Sequence, residues 1–89
     1  MQKIVYMARK NVNHGNAYVE ISDGVKNNGM VSYGQIGENY HSLPTSWKEY
    51  TFDTSKITGI KTISFEGGYN DSTGSTSSST SYGYIRFVY

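Results

Sequence analysis

The segment "AYVEIS", residues 17–22, alternates small or aliphatic side chains with larger polar ones, and this alternation decides the fold class. Successive side chains of a β-strand point to opposite faces, so Ala17, Val19 and Ile21 share one face while Tyr, Glu and Ser share the other. A strand with one apolar face and one solvent-exposed face is typical of an antiparallel sheet that covers a core. The segment therefore predicts a half-buried strand.

Short apolar stretches of this kind recur along the chain at roughly 8–12-residue spacing, separated by turn residues, as in sandwiches and barrels. Gly24 and Gly29 follow Asp and Asn, a pairing typical of tight turns, and Gly34 is a candidate bulge. Residues 37–46 are predicted to be an irregular connection, and residues 54–57 a single helical turn capped by Thr54. The predicted strands cover residues 3–8, 17–22, 30–36, 47–53, 60–68 and 82–89.

These features predict an all-β, jelly-roll-like antiparallel β-sandwich of about six strands, with no substantial helix, in a single domain spanning residues 1–89. The composition agrees, because nine tyrosines and ten glycines accompany one proline and abundant Ser, Thr and Asn. Tyr and Thr favour strands, whereas Gly and Asn favour turns.

Charge and cysteine content exclude several classes of function. Eight basic and seven acidic residues are scattered along the chain and leave a net charge of +1, so the basic stripe typical of nucleic-acid binding is missing. No cysteine is present to form disulfides or thiolate metal sites. No stretch resembles a signal peptide or a membrane span, so we expect a soluble protein that folds in the cytoplasm.

The residues predict neither catalysis nor a cofactor. The chain lacks a G-x-S-x-G motif, and nothing in the sequence pairs two carboxylates at a defined separation. Asn70 and Asp71 lie in an oxygen-rich stretch that leaves calcium binding open, but the spacing of a calcium loop is missing, and we predict no metal site. The segment from Gly67 to Ser81 is rich in Ser and Thr and is either an exposed spacer or a loop that binds a polar ligand.

Aromatic side chains supply the candidate ligand-binding residues, because sugars stack their C–H faces on aromatic rings. Trp47, Tyr50, Phe52, Phe65 and Phe87 are also expected to build the core, which leaves Trp47 with two alternative roles. The candidate glycan contacts, which include the two polar residues named above, are Tyr18, Tyr40, Trp47, Tyr69, Asn70, Asp71 and Tyr84.

The first and last predicted strands are apolar on both faces. Such strands are either central in a sheet and covered on both sides, or they bury one face against another subunit. A domain of this size gains stability by association. We therefore expect a homo-oligomer or a larger assembly.

The C-terminal half, "SWKEYTFDTSKITGIKTISFEGGYND" followed by a polar loop and "YGYIRFVY", resembles the final strands of jelly-roll domains. Such endings occur in carbohydrate-binding modules and in decoration or receptor-binding proteins of bacteriophage virions. The resemblance implies a non-catalytic structural or adhesion module of the virion type that presents polar and tyrosine-rich loops. The alternative that it implies is a free-standing, lectin-like carbohydrate-binding module.

Overall fold

The computed structural model describes residues 1–11, 15–26, 33–68 and 79–89. Within these ranges the chain forms six β-strands and no helix, and accordingly no helix there is long and apolar enough to cross a membrane. The strands are β1 (Lys3–Lys10), β2 (Asn16–Lys26), β3 (Tyr33–Ser42), β4 (Lys48–Asp53), β5 (Thr62–Gly68) and β6 (Thr80–Val88).

The strands form two antiparallel three-stranded sheets, one in the order β4-β1-β6 and the other in the order β3-β2-β5. We call them the β1 sheet and the β2 sheet after their central strands. They pack face to face, with β1 against β2 and β6 against β5. The predicted all-β sandwich of six strands is confirmed, whereas the likeness to jelly-roll domains stays a prediction.

Alternate residues of the two central strands form the core. Ile4, Tyr6 and Ala8 of β1 are fully buried, and so are the three apolar residues of the β2 segment that alternates. Leu43, just after β3, closes one end of this cluster. The period of two seen in residues 17–22 is thus the pattern that places β2 at the centre of its sheet.

Strand β3 extends well beyond its predicted end. Residues 37–42, which we expected to be irregular, pair with residues 16–21 of β2 in an unbroken antiparallel register. Their side chains are mostly polar, so hydrophobic alternation does not reveal the strand. One bulge lies at Ile36, between the pairs Ile21–Gly37 and Ser22–Gln35, and Gly34 lies at a second irregularity, because the register shifts again between the pairs Ser22–Gln35 and Lys26–Tyr33.

Strand β2 also continues past its predicted end, through a second irregularity in the pairing between Ser22 and Lys26. Gly24 has a φ of 79° there, a backbone conformation that L side chains rarely adopt. The Asp23–Gly24 signal therefore marks an irregularity within the strand and not the turn that we predicted. Gly29 lies outside the described residues.

The turn predicted at residues 54–57 is present, with the Ile57 N–H donating to the Thr54 carbonyl at 3.0 Å. The cap that we assigned to Thr54 is wrong. Asp53 Oδ1 accepts from the Ser55 N–H at 2.9 Å, and bonds from Ser55 lower the pKa of the Asp53 carboxyl. Thr54 is instead fully buried, and its N–H donates to the carbonyl of Gln2.

The aromatic core differs in membership from the one that we predicted, since Tyr6 and Tyr82 belong to it. Tyr50, Phe52 and Phe65 pack against the buried cluster, but Trp47 and Phe87 remain 45% and 40% exposed. Phe87 lies in the edge strand β6, where the β2 sheet does not cover it fully, whereas Trp47 precedes β4 and lies beside Gly83 toward the outer face of the β1 sheet. The core assignment of these two residues is therefore wrong.

Tyr82 of β6 ties the two sheets together. Its hydroxyl accepts from the Tyr18 N–H of β2 at 3.0 Å and donates to the Glu66 carbonyl of β5 at 2.6 Å. Its ring meets that of Phe65 edge to face, with centroids 5.5 Å apart. A single side chain thus bonds the backbones of two neighbouring strands in the opposite sheet.

Candidate functional site

An open cleft of about 670 Å³ lies where the edges of β3 and β4 separate. It is bounded by the second half of β3, the connection that follows, and the first half of β4. We call it the β3–β4 cleft. Its lining residues are Asn39, His41, Ser42, Leu43, Pro44, Ser46, Trp47, Lys48, Tyr50 and Thr51.

A chain of hydrogen bonds anchors two of the polar lining residues to the core. The Tyr6 hydroxyl is 2.6 Å from His41 Nε2, and Asn39 Nδ2 donates to the same hydroxyl oxygen at 2.7 Å. His41 Nδ1 lies 3.0 Å from the Ser42 carbonyl. A proton on Nδ1 satisfies both ends of the ring, because Nδ1–H donates to the carbonyl while Nε2 accepts from Tyr6. Burial raises the pKa of Tyr6 to about 12, so its hydroxyl remains a donor.

Tyr50 forms one wall of the cleft. Its ring lies 4.2 Å, centroid to centroid, from the imidazole of His41, and 5.8 Å from the ring of Tyr6, on which it stacks. Lys48 places its ammonium group 5.6 Å from the centre of the Tyr50 ring, within range of a cation–π contact. Burial raises the pKa of Tyr50. The wall therefore presents a fixed aromatic face with a positive charge beside it.

Trp47 forms the rim where the cleft meets the outer face of the β1 sheet. Its ring lies close to Gly83 of β6, where an added Cβ would be 3.4 Å from the Trp47 ring and 3.3 Å from Met7 Cβ. The Arg9 guanidinium lies 5.6 Å from the ring centre. Packing on these sides holds an indole that is still 45% exposed.

Tyr18 and Tyr40 meet on the opposite side of the molecule, on the outer face of the β2 sheet. They face each other across β2 and β3, and their rings contact edge to face with centroids 5.4 Å apart. Burial, the hydrogen bond with Glu38 and the charge of Glu20 together raise the pKa of Tyr18 to about 12. The surroundings of this pair are acidic, unlike those of the β3–β4 cleft.

Tyr84 lies on the outer face of the β1 sheet, where its hydroxyl donates to the Glu49 carboxylate of β4. This bond, followed by burial, raises the pKa of Tyr84. Tyr84 adjoins Gly83, the residue beneath the Trp47 ring, so Trp47 and Tyr84 share one corner of the molecule. The remaining candidates, Tyr69, Asn70 and Asp71, lie outside the described residues, as does most of the segment from Gly67 to Ser81.

Among the candidate ligand contacts predicted from the sequence, Trp47 lies in the cleft. The polar residues at the floor of the cleft, Asn39 and His41, were not predicted as ligand contacts. We predicted that His41 lies in a loop and that Tyr50 belongs to the core. We assigned no role to Asn39 or Lys48. A signal was present in the period of two, since residues 39 and 41 fall on one side of a strand, as do residues 48 and 50. That signal becomes visible only once β3 is known to continue past Gly37.

The lining of the β3–β4 cleft contains no carboxylate among the described residues. The polar groups that can bond to hydroxyl or carboxylate oxygens of a ligand are the amide of Asn39, the ammonium of Lys48 and several hydroxyls, whereas both nitrogens of His41 are engaged within the protein. In the part of the chain that the structure describes, no group of three or more His, Cys, Asp or Glu side chains is arranged to hold a metal ion. The calcium alternative at Asp71 lies outside that part.

Comparisons of the chain with protein-family models, with curated proteins and with solved structures found no match.

Proposed function

We propose that this protein is a non-catalytic adhesion module that binds carbohydrate in the β3–β4 cleft. The observation that carries the proposal is the combination of an exposed indole, a second aromatic ring and fixed hydrogen-bonding groups in one open cleft. Trp47 supplies a face for stacking on the C–H surface of a sugar ring. Ligand-binding sites in general combine apolar surface with a small number of precisely placed polar groups.

Preorganisation supports this choice of cleft over the other tyrosine surfaces. The groups on its floor are already oriented, because the bonds to Tyr6 hold Asn39 and His41 before any ligand arrives. A fixed group loses less conformational entropy on binding than a mobile one. On the outer face of the β1 sheet, by contrast, the Tyr84 hydroxyl is already engaged by Glu49.

The charge of the lining narrows the ligand class to neutral or acidic sugars. Lys48 lies in the lining, Arg9 lies against the rim, and no described lining residue is acidic. A uronic or sialic acid would place its carboxylate near a positive charge, whereas an amino sugar would be repelled. The lack of a carboxylate in this described lining also supports a non-catalytic role, since glycoside cleavage ordinarily uses a pair of them.

Ligand-observed NMR with methyl glycosides of glucose, galactose, glucuronic acid and N-acetylneuraminic acid tests the proposal. With the best of these probes, we expect Trp47→Ala to weaken binding roughly tenfold or more, because a stacked aromatic usually carries much of the affinity. Tyr40→Ala is the matched control, since Tyr40 is equally exposed but lies on the opposite sheet. Equal loss in both variants, loss in Tyr40→Ala alone, or no binding of any probe would contradict the proposal.

A second candidate is a structural role in an assembly of the virion type. The exposed apolar side chains of β6 favour it, because a strand that keeps such residues at a sheet edge is suited to contact a neighbour. The solution mass of the protein tests it. A monomer at all concentrations would contradict this candidate and leave the carbohydrate proposal intact.

A further inference from the structure

The outer edge of β6 differs from the other edge of its sheet. β6 is the last strand of the β1 sheet and pairs with β1 alone among the described strands. It carries one charged residue, Arg86, in nine, whereas β4 at the other edge of the same sheet carries three in six. Charged residues and prolines are the usual protection of an edge strand against pairing with another chain. β6 has little of that protection.

Apolar side chains on the core-facing side of β6 are exposed. Ile85 and Phe87 pair with Tyr6 and Ile4, which are fully buried, yet they remain 39% and 40% exposed themselves. Tyr89, two residues further along, is 88% exposed. The described part of the β2 sheet therefore covers β6 at Tyr82 but leaves the core-facing side of β6 partly uncovered at Ile85 and Phe87.

A groove of about 400 Å³ continues this apolar surface toward β5. Phe87 and Tyr89 form one wall, and the connection between β4 and β5 forms the other. Apart from Gly59, the described lining is apolar or aromatic and consists of Met1, Ile57, Ile60, Ile63, Phe87 and Tyr89. Exposed apolar surface beside an unpaired strand edge is the combination expected of an association site.

We propose that two copies of this chain associate through β6, paired antiparallel to itself about a two-fold axis perpendicular to the sheet. A second copy is the partner that fits, because an antiparallel strand is complementary to its own edge and the pairing closes after two copies. The two β1 sheets become one six-stranded sheet. This proposal is independent of carbohydrate binding, since the β3–β4 cleft lies on the opposite edge and its rim residue Trp47 reaches β6 only at Gly83.

The residues of β6 select one register. Two residues that face each other across such an axis lie on the same side of the sheet, so their numbers are both odd or both even. The axis therefore passes between one residue and the same residue of the other copy. Centring on Arg86 would oppose two guanidinium groups, which is destabilising. Centring on Ile85 would draw in the bulge where Gly83 and Tyr84 together oppose Met7. Centring on Phe87 avoids both.

With Phe87 at the centre, Ile85 faces the partner's Tyr89, and Arg86 faces the partner's Val88. The paired segment is then the part of β6 whose pairing with β1 is regular, followed by Tyr89. Three apolar side chains from each copy meet on the core-facing side, where they cover one another and the adjoining groove. No like charges are brought face to face.

The exposed area indicates a weak dimer. Taking about 200 Å² for a full aromatic side chain, the three residues expose roughly 300 Å² in each copy, so their burial removes about 600 Å² in total. A specific interface needs about 1,000 Å² or more, so the grooves must close as well. We expect a dissociation constant on the order of 10–100 µM.

Sedimentation analysis of the full chain from about 1 µM to about 1 mM tests the association, since that range brackets the expected constant. We expect the mass to rise from monomer to dimer and to stop there. Tyr89→Lys should weaken the dimer at least tenfold, and because Tyr89 is 88% exposed the variant retains the monomer fold. Thr51→Lys, at the exposed edge strand β4, is the control and should leave the dimer unchanged.

Cysteine cross-linking tests the register, because the chain has no cysteine of its own. Facing residues of an antiparallel pair are close enough for a disulfide, whereas residues offset by two or more positions are not. Oxidised Phe87→Cys should therefore form covalent dimers rapidly, and Ile85→Cys and Thr51→Cys should form few. A monomeric mass throughout, or equal cross-linking in all three variants, would overturn the proposal. A trimer or an open series of larger species would overturn it as well, since two-fold pairing of β6 closes at two copies.

Discussion

Replacing Tyr6 by phenylalanine tests the hydrogen-bonded floor of the β3–β4 cleft. The substitution keeps the ring, which contacts four other aromatic groups, and removes the hydroxyl that bonds to Asn39 and His41. No cavity larger than one oxygen atom is created. The change in the free energy of unfolding therefore reports on the two hydrogen bonds.

The magnitude follows from the environment of each partner. A hydrogen bond contributes about 1 kcal/mol net, and a buried partner left without one costs up to about 3 kcal/mol. Asn39 and His41 are only partly buried and line an open cleft, so water reaches them after the substitution. We expect Tyr6→Phe to lower the free energy of unfolding by about 1–2 kcal/mol. For a domain of this length that lowers Tm by roughly 5–15 °C.

Urea unfolding followed by circular dichroism measures this change, with Tyr18→Phe as the matched control. Tyr18 lies on the outer face of the β2 sheet, where its hydroxyl bonds to Glu38 and accepts a long, exposed bond of 3.3 Å from Gln35, so both bonds lie at the surface and water can replace them. That variant should stay within about 0.5 kcal/mol of the original protein. A cycle with Asn39→Ala then isolates the Tyr6–Asn39 bond. If Tyr6→Phe were no less stable than Tyr18→Phe, or if the coupling energy were near zero, the bonds of the Tyr6 hydroxyl would not stabilise the fold as we expect.

Three further predictions concern stability. Tyr82→Phe removes the hydroxyl that bonds the backbones of β2 and β5, and should lower the free energy of unfolding by about 1–2 kcal/mol in the same assay; no change would mean that water replaces the bonds without cost. The pKa of Tyr6 is raised from 10.0 to about 12 in the folded state, so the stability from its protonated hydroxyl is complete below pH 10 and is lost as the pH rises toward 12. Unfolding midpoints measured between those values should fall, less steeply in Tyr6→Phe, and equal slopes would contradict the assignment. Gly15→Ala places a Cβ 2.8 Å from the Ser79 carbonyl oxygen and should cost about 1–3 kcal/mol, which thermal unfolding would measure; a stability equal to that of the original protein would show that this contact relaxes.

The sequence predicts the strands whose apolar and polar residues alternate, and it fails where polar residues occupy paired positions. Residues 17–22 show their period of two directly, because the β2 sheet covers the core with one face of this strand. Residues 37–42 are equally well paired, but their register with β2 is a long-range property of the backbone that leaves no hydrophobic pattern. The floor of the cleft was missed for the same reason, since Asn39 and His41 are oriented by Tyr6, more than thirty residues away.

Aromatic content alone also failed to separate core from surface. Phe65 and Phe87 are the same residue type in strands of similar pattern, yet Phe65 packs against the core while Phe87 is 40% exposed. The ring of Phe65 contacts Tyr6 and Tyr82 of the opposite sheet, whereas Phe87 is only partly covered. Sequence patterns indicate which side of a strand faces inward, and only the arrangement of the sheets decides whether anything covers that side.

Sugar binding in the β3–β4 cleft and dimerisation through β6 would together give a protein with two binding sites. In the six-stranded sheet of the proposed dimer the two copies of β6 lie at the centre and the two copies of β4 at the outer ends, so the β3–β4 clefts open at opposite ends. Five strand spacings separate the two β4 strands, which is about 24 Å. A flexible polymer that carries many copies of the sugar can reach both ends of the sheet and occupy both clefts, and its apparent affinity then exceeds that for a single sugar. Tyr89→Lys should remove this excess while leaving the affinity for a monovalent methyl glycoside unchanged, and Trp47→Ala should weaken both. If Tyr89→Lys lowered the monovalent affinity as well, the clefts and the β6 edge would not be independent, and the separation of the two surfaces argued from the strand order would be wrong.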